Sequence, residues 1–483
     1  MKTKYRSQKT GILQGIRVLD LSRMLSGPYA TMLLADHGAE VIKIESSEGD
    51  TSRRSGPFNE SDKKREWSGY FVSLNRNKKS IYLNLKNEVD LTFLKKLIEK
   101  SDVLVENFRP GVMKRLGLSF DEVSKINSRI VYGSISGFGS EVFGESPYKN
   151  WPSYDVVAQA MGGLISLTGY DERTPLKVGP GIADIFSGSL LSFGLLASIL
   201  KSRTTGQAQY VEVAMYDAIV SMCERAVYQY DFNKVIPKPE GNGHPLLAPF
   251  GIYNAKDGFV AIGIVEDTYW NVLKKIIDSE DLLNDLNYGT IALRAKNRNE
   301  LNKQINLWTI KFSKNELVNL LGGKIPFGPV NNVKEIFEDT HVKERNMILE
   351  IAQPFKDGKN WKVAGNPVKF KGFPSLNFTP PGLNEHKKFY ADNLHSIHSN
   401  QQSLLFEPEQ KDYQCKITFW SKDKKVLDCN ACSFTWLKSK ETYLICSIRK
   451  SDFVAFKSKA TTATFHFSKA TEVKDDCEQS IDF

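Results

Sequence analysis

Apolar residues first alternate and then recur at helical spacing within GIRVLDLSRMLSGPYATMLLADHGAEVIKIE, residues 15–45. IRVLDL predicts a strand, and SGP follows it, with Ser26 at an N-cap and Pro28 at the first helical position. YATMLLADHG has helical spacing and a glycine stop at Gly38, and AEVIKIE predicts a second strand. A β-α-β unit of this kind implies a parallel sheet. Further apolar strands are expected at SIYLNLK, DVLVENF and RIVYGSISG, with helical stretches such as NEVDLTFLKKLIEKS between them. The chain to about residue 205 therefore reads as open α/β.

IFSGSLLSFGLLASILKSR is apolar on nearly all sides, the pattern of a buried helix. TTG ends it, and QYVEVAMYD resumes as a strand. Beyond that the periodicity changes. Residues 1–224 are assigned to a large domain and 225–330 to a smaller α+β domain of short strands followed by helices rich in Lys and Asn. Residues 331–394 are dense in Pro and Gly and read as an extended segment returning to the large domain. From 395 to 483, runs such as YQCKITFW and TYLICSIR predict a β-rich appendage whose role its composition does not reveal.

The length of 483 residues is itself more than one hydrophobic core usually serves. A formal charge of +9, from 65 basic and 56 acidic residues, comes without an arginine-rich stripe. Nucleic acid is therefore not an expected partner, whereas a polyanionic small molecule suits the charge. No run of about 18 apolar residues predicts a membrane span. The basic, acid-free opening MKTKYRSQKTGILQG lacks the apolar region of a secretory signal. A cytoplasmic location is expected, with a mitochondrial presequence as the alternative. Residues 1–400 hold only Cys223, while Cys415, Cys429, Cys432, Cys446 and Cys477 follow. A main body almost without cysteine fits a reducing compartment.

Several motifs mislead. Glu45 closes the second strand where a ribose-binding acid would sit, yet the preceding turn LSGPYA offers only Gly27 and lacks G-x-G-x-x-G. GSISG at 133–137 resembles a nucleophile elbow but centres on Ile135. No metal is expected. His395 and His398 lie in a polar segment, and the single CxxC at Cys429 and Cys432 has no second copy. A zinc site from Cys415, Cys429, Cys432 and Cys446 is the alternative to buried thiols. In VGPGIADIFSG, residues 178–188, Asp184 stands at the mouth of the long apolar helix. That stretch alone fits a helix cap as well as a nucleophile.

The stretches GPYATMLLADHGAEVIKIE, NRNKKSIYLNLK, VENFRPGVMKRLG and SYDVVAQAMGGLISLTG resemble the class III CoA-transferases. That family includes formyl-CoA, carnitine and dicarboxylate CoA-transferases and the related α-methylacyl-CoA racemase. The resemblance continues through VGPGIADIFSG, PFGIYNAKDGFVAIG, IPFGPVNNVKEIF and GNPVKF, in order, over about residues 11–390. It implies a Rossmann-like large domain, a small domain, and two chains interlocked as a homodimer. The β-rich appendage is no part of the family pattern.

The resemblance further implies transfer of CoA from an acyl-CoA donor to a carboxylic acid, with no tightly bound cofactor. Asp184 matches the family nucleophile, which passes through an acyl anhydride and an aspartyl-CoA thioester. By family position, Leu25, Ser26, Leu83, Asn84, Leu85, Lys86, Asn107, Phe108, Arg109, Arg115 and Tyr154 should line the CoA site. Asp155 and Glu266 are expected near the substrate. Ser46 stands where some transferases carry a basic residue, and GNG at 241–243 is the nearest counterpart of the glycine loop over the aspartate. The NRNKKSI and SYDVVA runs look closest to the dicarboxylate branch. The rivals are a 2-methylacyl-CoA racemase, in which Tyr154 replaces the histidine base, and a CoA-binding protein without turnover.

Overall fold

The computed structural model describes residues 11–279, 282, 286–355 and 359–394, and beyond residue 414 six strands by their backbone alone. Two units are distinguished, residues 1–399 and 400–483.

The first is built on β1 (Arg17–Asp20), β2 (Glu40–Glu45), β3 (Lys78–Tyr82), β4 (Val103–Glu106), β5 (Val131–Ser136) and β6 (Gln209–Ala214). They form one sheet in the order β3-β2-β1-β4-β5-β6, and every pairing is parallel. Successive side chains of a strand point to opposite faces. Val18, Val41, Val103 and Val131 accordingly join one buried cluster with Leu191 and Leu195, while Leu19, Ile42, Leu104 and Tyr132 join another with Leu94 and Leu97. Strand order reverses direction between β1 and β4, and the crevice beyond those two carboxyl ends is where such sheets hold ligands.

Helices α1 (Ser26–Asp36), α2 (Gly69–Asn75), α3 (Glu88–Ile98), α4 (Val112–Arg115), α5 (Phe120–Ile126), α6 (Asp155–Met161), α7 (Leu164–Leu167) and α8 (Ile182–Thr205) surround this sheet. Two details differ from the sequence reading. Leu25, not Ser26, is the N-cap residue of α1, so Ser26 is its first residue and Pro28 its third. Proline fits there because the first-turn N–H groups have no helical acceptor.

Helix α8 is not buried all round. Ala183, Ser187, Gly188, Leu191, Leu195 and Ile199 are buried, but Phe193 and Leu200 are 75% and 67% exposed. By length and composition α8 is long and apolar enough to cross a membrane. Its buried face packs into the cluster formed by β1, β4 and β5. The helix ends at Gly206, whose φ of 71° supplies the left-handed stop.

A three-stranded antiparallel sheet, β7 (Phe250–Ala255), β8 (Gly258–Gly263) and β9 (Phe327–Pro329), carries its own core of Tyr253, Val260, Ile262, Trp270, Leu301 and Leu317. Residues 376–393 then run back along the large sheet. The Leu376 N–H donates to the Asp36 carbonyl at 2.8 Å, and the Tyr390 hydroxyl donates to Glu40 at 2.6 Å.

In the second unit, four antiparallel strands follow the order Lys424–Cys429, Cys415–Ser421, Thr462–Phe467, Cys477–Asp482, and Ser433–Lys438 pairs with Thr442–Ser447. The side chains of the CxxC, and His395 and His398, lie outside the described residues.

Candidate active site

Four segments meet at the crevice between β1 and β4: the turn Ser22–Ser26, the loop after β4, the start of α6 and the start of α8. Asp184 is the third residue of α8 and is half-buried. Burial, and then the charge of Asp155, push its carboxyl up to about 6, against a smaller downward pull from the nearby Ser26 hydroxyl.

Asp184 does not cap its own helix. The carboxylate that does so is Asp155, the first residue of α6, which accepts the Ala183 N–H at 2.8 Å and the Gln159 amide at 2.7 Å. The Ile182 N–H is taken by the Pro180 carbonyl at 2.8 Å. The next N–H, that of Asp184 itself, makes no hydrogen bond among the described residues. An open N–H at a helix start is suited to developing negative charge.

The glycines of VGPGIADIFSG have different tasks. A Cβ on Gly179 would meet nothing, so that side of the approach is open. A Cβ on Gly188 would stand 2.5 Å from the Ser26 carbonyl, and one on Gly181 2.7 Å from Leu25. These two glycines serve close packing and do not clear the approach. Gly188 lets α8 lie against the start of α1 and brings Asp184 within reach of Ser26.

Asn107 links the loop after β4 to the turn. Its carbonyl accepts the Arg23 N–H at 2.8 Å, and its amide donates to the Arg23 carbonyl at 2.8 Å and to Ser26 Oγ at 3.3 Å. Beside it, Phe108, Arg109 and Arg115 line a cavity of about 830 Å³ walled also by Glu106, Tyr132 and Glu212. Arg109 and Arg115 are exposed, and neither guanidinium makes a hydrogen bond or ion pair among the described residues. Both remain open to an anionic ligand.

The sequence profile of CoA-transferase family III matches residues 13–387. The chain belongs to that family. It is 40% identical over 383 residues to a succinyl-CoA:mesaconate CoA-transferase of Haloarcula marismortui, covering 79% of this chain and 96% of the relative. A mouse succinyl-CoA:glutarate CoA-transferase is 33% identical, over 77% of this chain and 83% of the relative. Among solved structures, a CAIB/BAIF family protein from Brucella suis is 30% identical with a TM-score of 0.71, covering 80% of this chain and 100% of that one.

In this CoA-transferase the expected site residues separate into groups. Leu25, Ser26, Asn107, Asp155 and Asp184 converge. The Leu83 side chain is 2% exposed and packs in the core, and Leu85 packs against the same cluster. Asn84 and Lys86 are exposed, and Asn84 Oδ1 accepts the Lys86 N–H at 3.2 Å. Tyr154 is 67% exposed at the N-cap of α6. Glu266 is exposed before the helix Asp267–Ile277 beside the small sheet, and its side chain makes no hydrogen bond or ion pair among the described residues. The GNG stretch packs on Gly169 and β7: the Gly241 N–H donates to the Gly169 carbonyl at 3.0 Å.

Two titratable groups outside the expected set are perturbed nearby. Tyr70, on α2, has its hydroxyl pushed up to about 12 by burial and by the charges of Asp184, Asp50 and Asp155. Glu106, buried at the end of β4, accepts from Ser134 at 2.6 Å and from the Phe108 N–H at 2.8 Å, and burial lifts it to about 7. Glu45 is bound to Arg53 at 2.7 Å and is not available to a ribose. Among the described residues, no group of three or more His, Cys, Asp and Glu side chains is placed to hold a metal ion.

Proposed function

We propose that Asp184 is the covalent nucleophile of this enzyme, that succinyl-CoA is its donor and that a short dicarboxylic acid is its acceptor. The observation that carries the reading is an acid at a helix start, freed from capping by Asp155 and with its own N–H left open. The substrates are suggested by the relatives that act on succinyl-CoA with mesaconate or glutarate.

An Asp184 oxygen attacks the thioester carbonyl carbon, the C–S bond breaks, and CoA thiolate leaves an acyl–aspartyl anhydride. The thiolate attacks the aspartyl carbonyl and releases the donor acid as its carboxylate. The acceptor carboxylate then attacks the aspartyl-CoA thioester and frees thiolate again. That thiolate takes the acceptor acyl group and returns Asp184 to its carboxylate form. The open Asp184 N–H supports the oxyanion of each addition. Arg109 and Arg115 bind CoA phosphates, with Asn84, Lys86 and Asn107 along the same groove.

An interlocked homodimer is part of this reading, with the exposed Phe193–Leu200 face of α8 as a contact surface. The division at 224, 330 and 394 into large domain, small domain and return segment goes with it. The test is an acceptor screen, with mono- and dicarboxylates offered against succinyl-, acetyl- and oxalyl-CoA. The reading expects dicarboxylates to react with succinyl-CoA fastest. Oxalyl-CoA as the preferred donor, or a monocarboxylate as the preferred acceptor, contradicts the assignment of substrates.

A further inference from the structure

Beneath the crevice lies a set of buried charges that touch neither Asp184 nor the proposed CoA groove. Asp20, Lys43, Glu45, Asp50, Arg53 and Lys78 are all 3% exposed or less. They pair as Lys78–Asp20 at 2.9 Å, Lys43–Asp50 at 2.8 Å and Arg53–Glu45 at 2.7 Å. Buried pairs are seldom better for stability than apolar residues of the same size, so their placement calls for another explanation.

That explanation lies in what they grip. Asp20 accepts the Ser22 N–H at 3.0 Å, and Lys43 Nζ donates to the Ser22 carbonyl at 2.9 Å. Asp50 Oδ1 accepts the Met24 N–H at 3.2 Å while also taking the Ser52 N–H at 2.9 Å. Met24 has a φ of 66°, a left-handed conformation that a residue with a side chain adopts only when its surroundings enforce it. Two residues later stands Ser26, whose carbonyl packs against Gly188, one turn along α8 from Asp184.

We propose that the Lys43–Asp50 pair is a positioning device for the nucleophile. It holds Met24 in the left-handed turn that carries Ser26 to Asp184. Asp50 acts only through the backbone of Met24 and is not a catalytic residue. The inference rests on reading Asp184 as the nucleophile.

The experiment is a double-mutant cycle on the full chain, using Asp50→Ala, Met24→Gly and the combined variant. The readout is the single-turnover rate at which succinyl-CoA forms a hydroxylamine-trappable adduct, with kcat and KM measured alongside. Asp50→Ala is expected to slow adduct formation by about tenfold or more, since small misplacements of reacting groups are that costly. Glycine adopts positive φ without the steric penalty, so Met24→Gly in the Asp50→Ala background should restore roughly fivefold or more. A purely structural role for the pair predicts no such rescue. Should Asp50→Ala fail to fold, Asp50→Asn enters the same cycle. Adduct formation at the wild-type rate in the Asp50 variant, or no rescue by glycine, overturns the inference. A wild-type enzyme that turns over without any trappable adduct would instead overturn the nucleophile assignment.

Discussion

Asp155 caps the helix on which Asp184 stands, through a 2.8 Å hydrogen bond from the Ala183 N–H, and its charge is felt by Asp184 itself. One carboxylate thus does two things for the other. It satisfies the helix start, and it raises the basicity of the proposed nucleophile. The mechanism needs Asp184 ionised, so kcat should rise with pH through an acid limb near pH 6. Asp155→Asn removes the neighbouring charge and should move that limb to lower pH. An acid limb left in place by Asp155→Asn would show that the two carboxyls do not communicate.

The same elevation has a consequence for stability. The Asp184 carboxyl is raised from 3.8 to about 6, so the folded state holds its proton more tightly than the unfolded chain does. Folding stability contributed by this group is greatest below pH 3.8 and is lost as pH rises to about 6. At pH 8, Asp184→Asn should therefore be more stable than the wild type, by roughly 1–3 kcal/mol, a gain that vanishes near pH 4. Urea denaturation of both proteins at the two pH values checks the sign.

Gly188 and Ser26 set how closely α8 approaches α1. Gly188→Ala would place a Cβ 2.5 Å from the Ser26 carbonyl, a backbone atom that cannot swing aside. The two helices must part, with a loss of about 1–3 kcal/mol of stability as in other overpacked sites. Activity should fall further than the melting temperature alone would explain, because Ser26 leaves Asp184. An alanine variant with both properties intact would remove this contact from the account.

Glu106 is also raised by burial, to about 7. Its ionisation disfavours the folded state as pH climbs from its ordinary value of 4.5 to about 7. Glu106→Gln keeps an acceptor for the Phe108 N–H and gives Ser134 a donor. The variant should gain stability over the wild type at pH 8 and none at pH 4, read from thermal melts.

Much of the large sheet was legible in the sequence, because each strand is a short apolar run bounded by turn residues. The family motifs then singled out Asp184. What the pattern missed was long-range. VIKIE reads as a strand, but nothing in it tells that Lys43 is fully buried, where Asp50 and Asp20 meet it. SGP reads as an N-cap, but Ser26 lies inside the helix, and its hydroxyl accepts from Asn107, which is 81 positions away. Tyr70 carries no local signal at all. The error on α8 has a different origin: an all-round apolar helix does not say whether its second face meets its own chain.

The central claim is that Asp184 becomes covalently acylated during turnover. Mixing the enzyme with succinyl-CoA, quenching with hydroxylamine and mapping the peptides by mass spectrometry tests it most directly. The account predicts a hydroxamate at Asp184, formed as fast as the enzyme turns over and missing in Asp184→Ala, whose activity should fall by roughly a thousandfold or more. A hydroxamate at another residue, or an Asp184→Ala variant that keeps full activity, would contradict it.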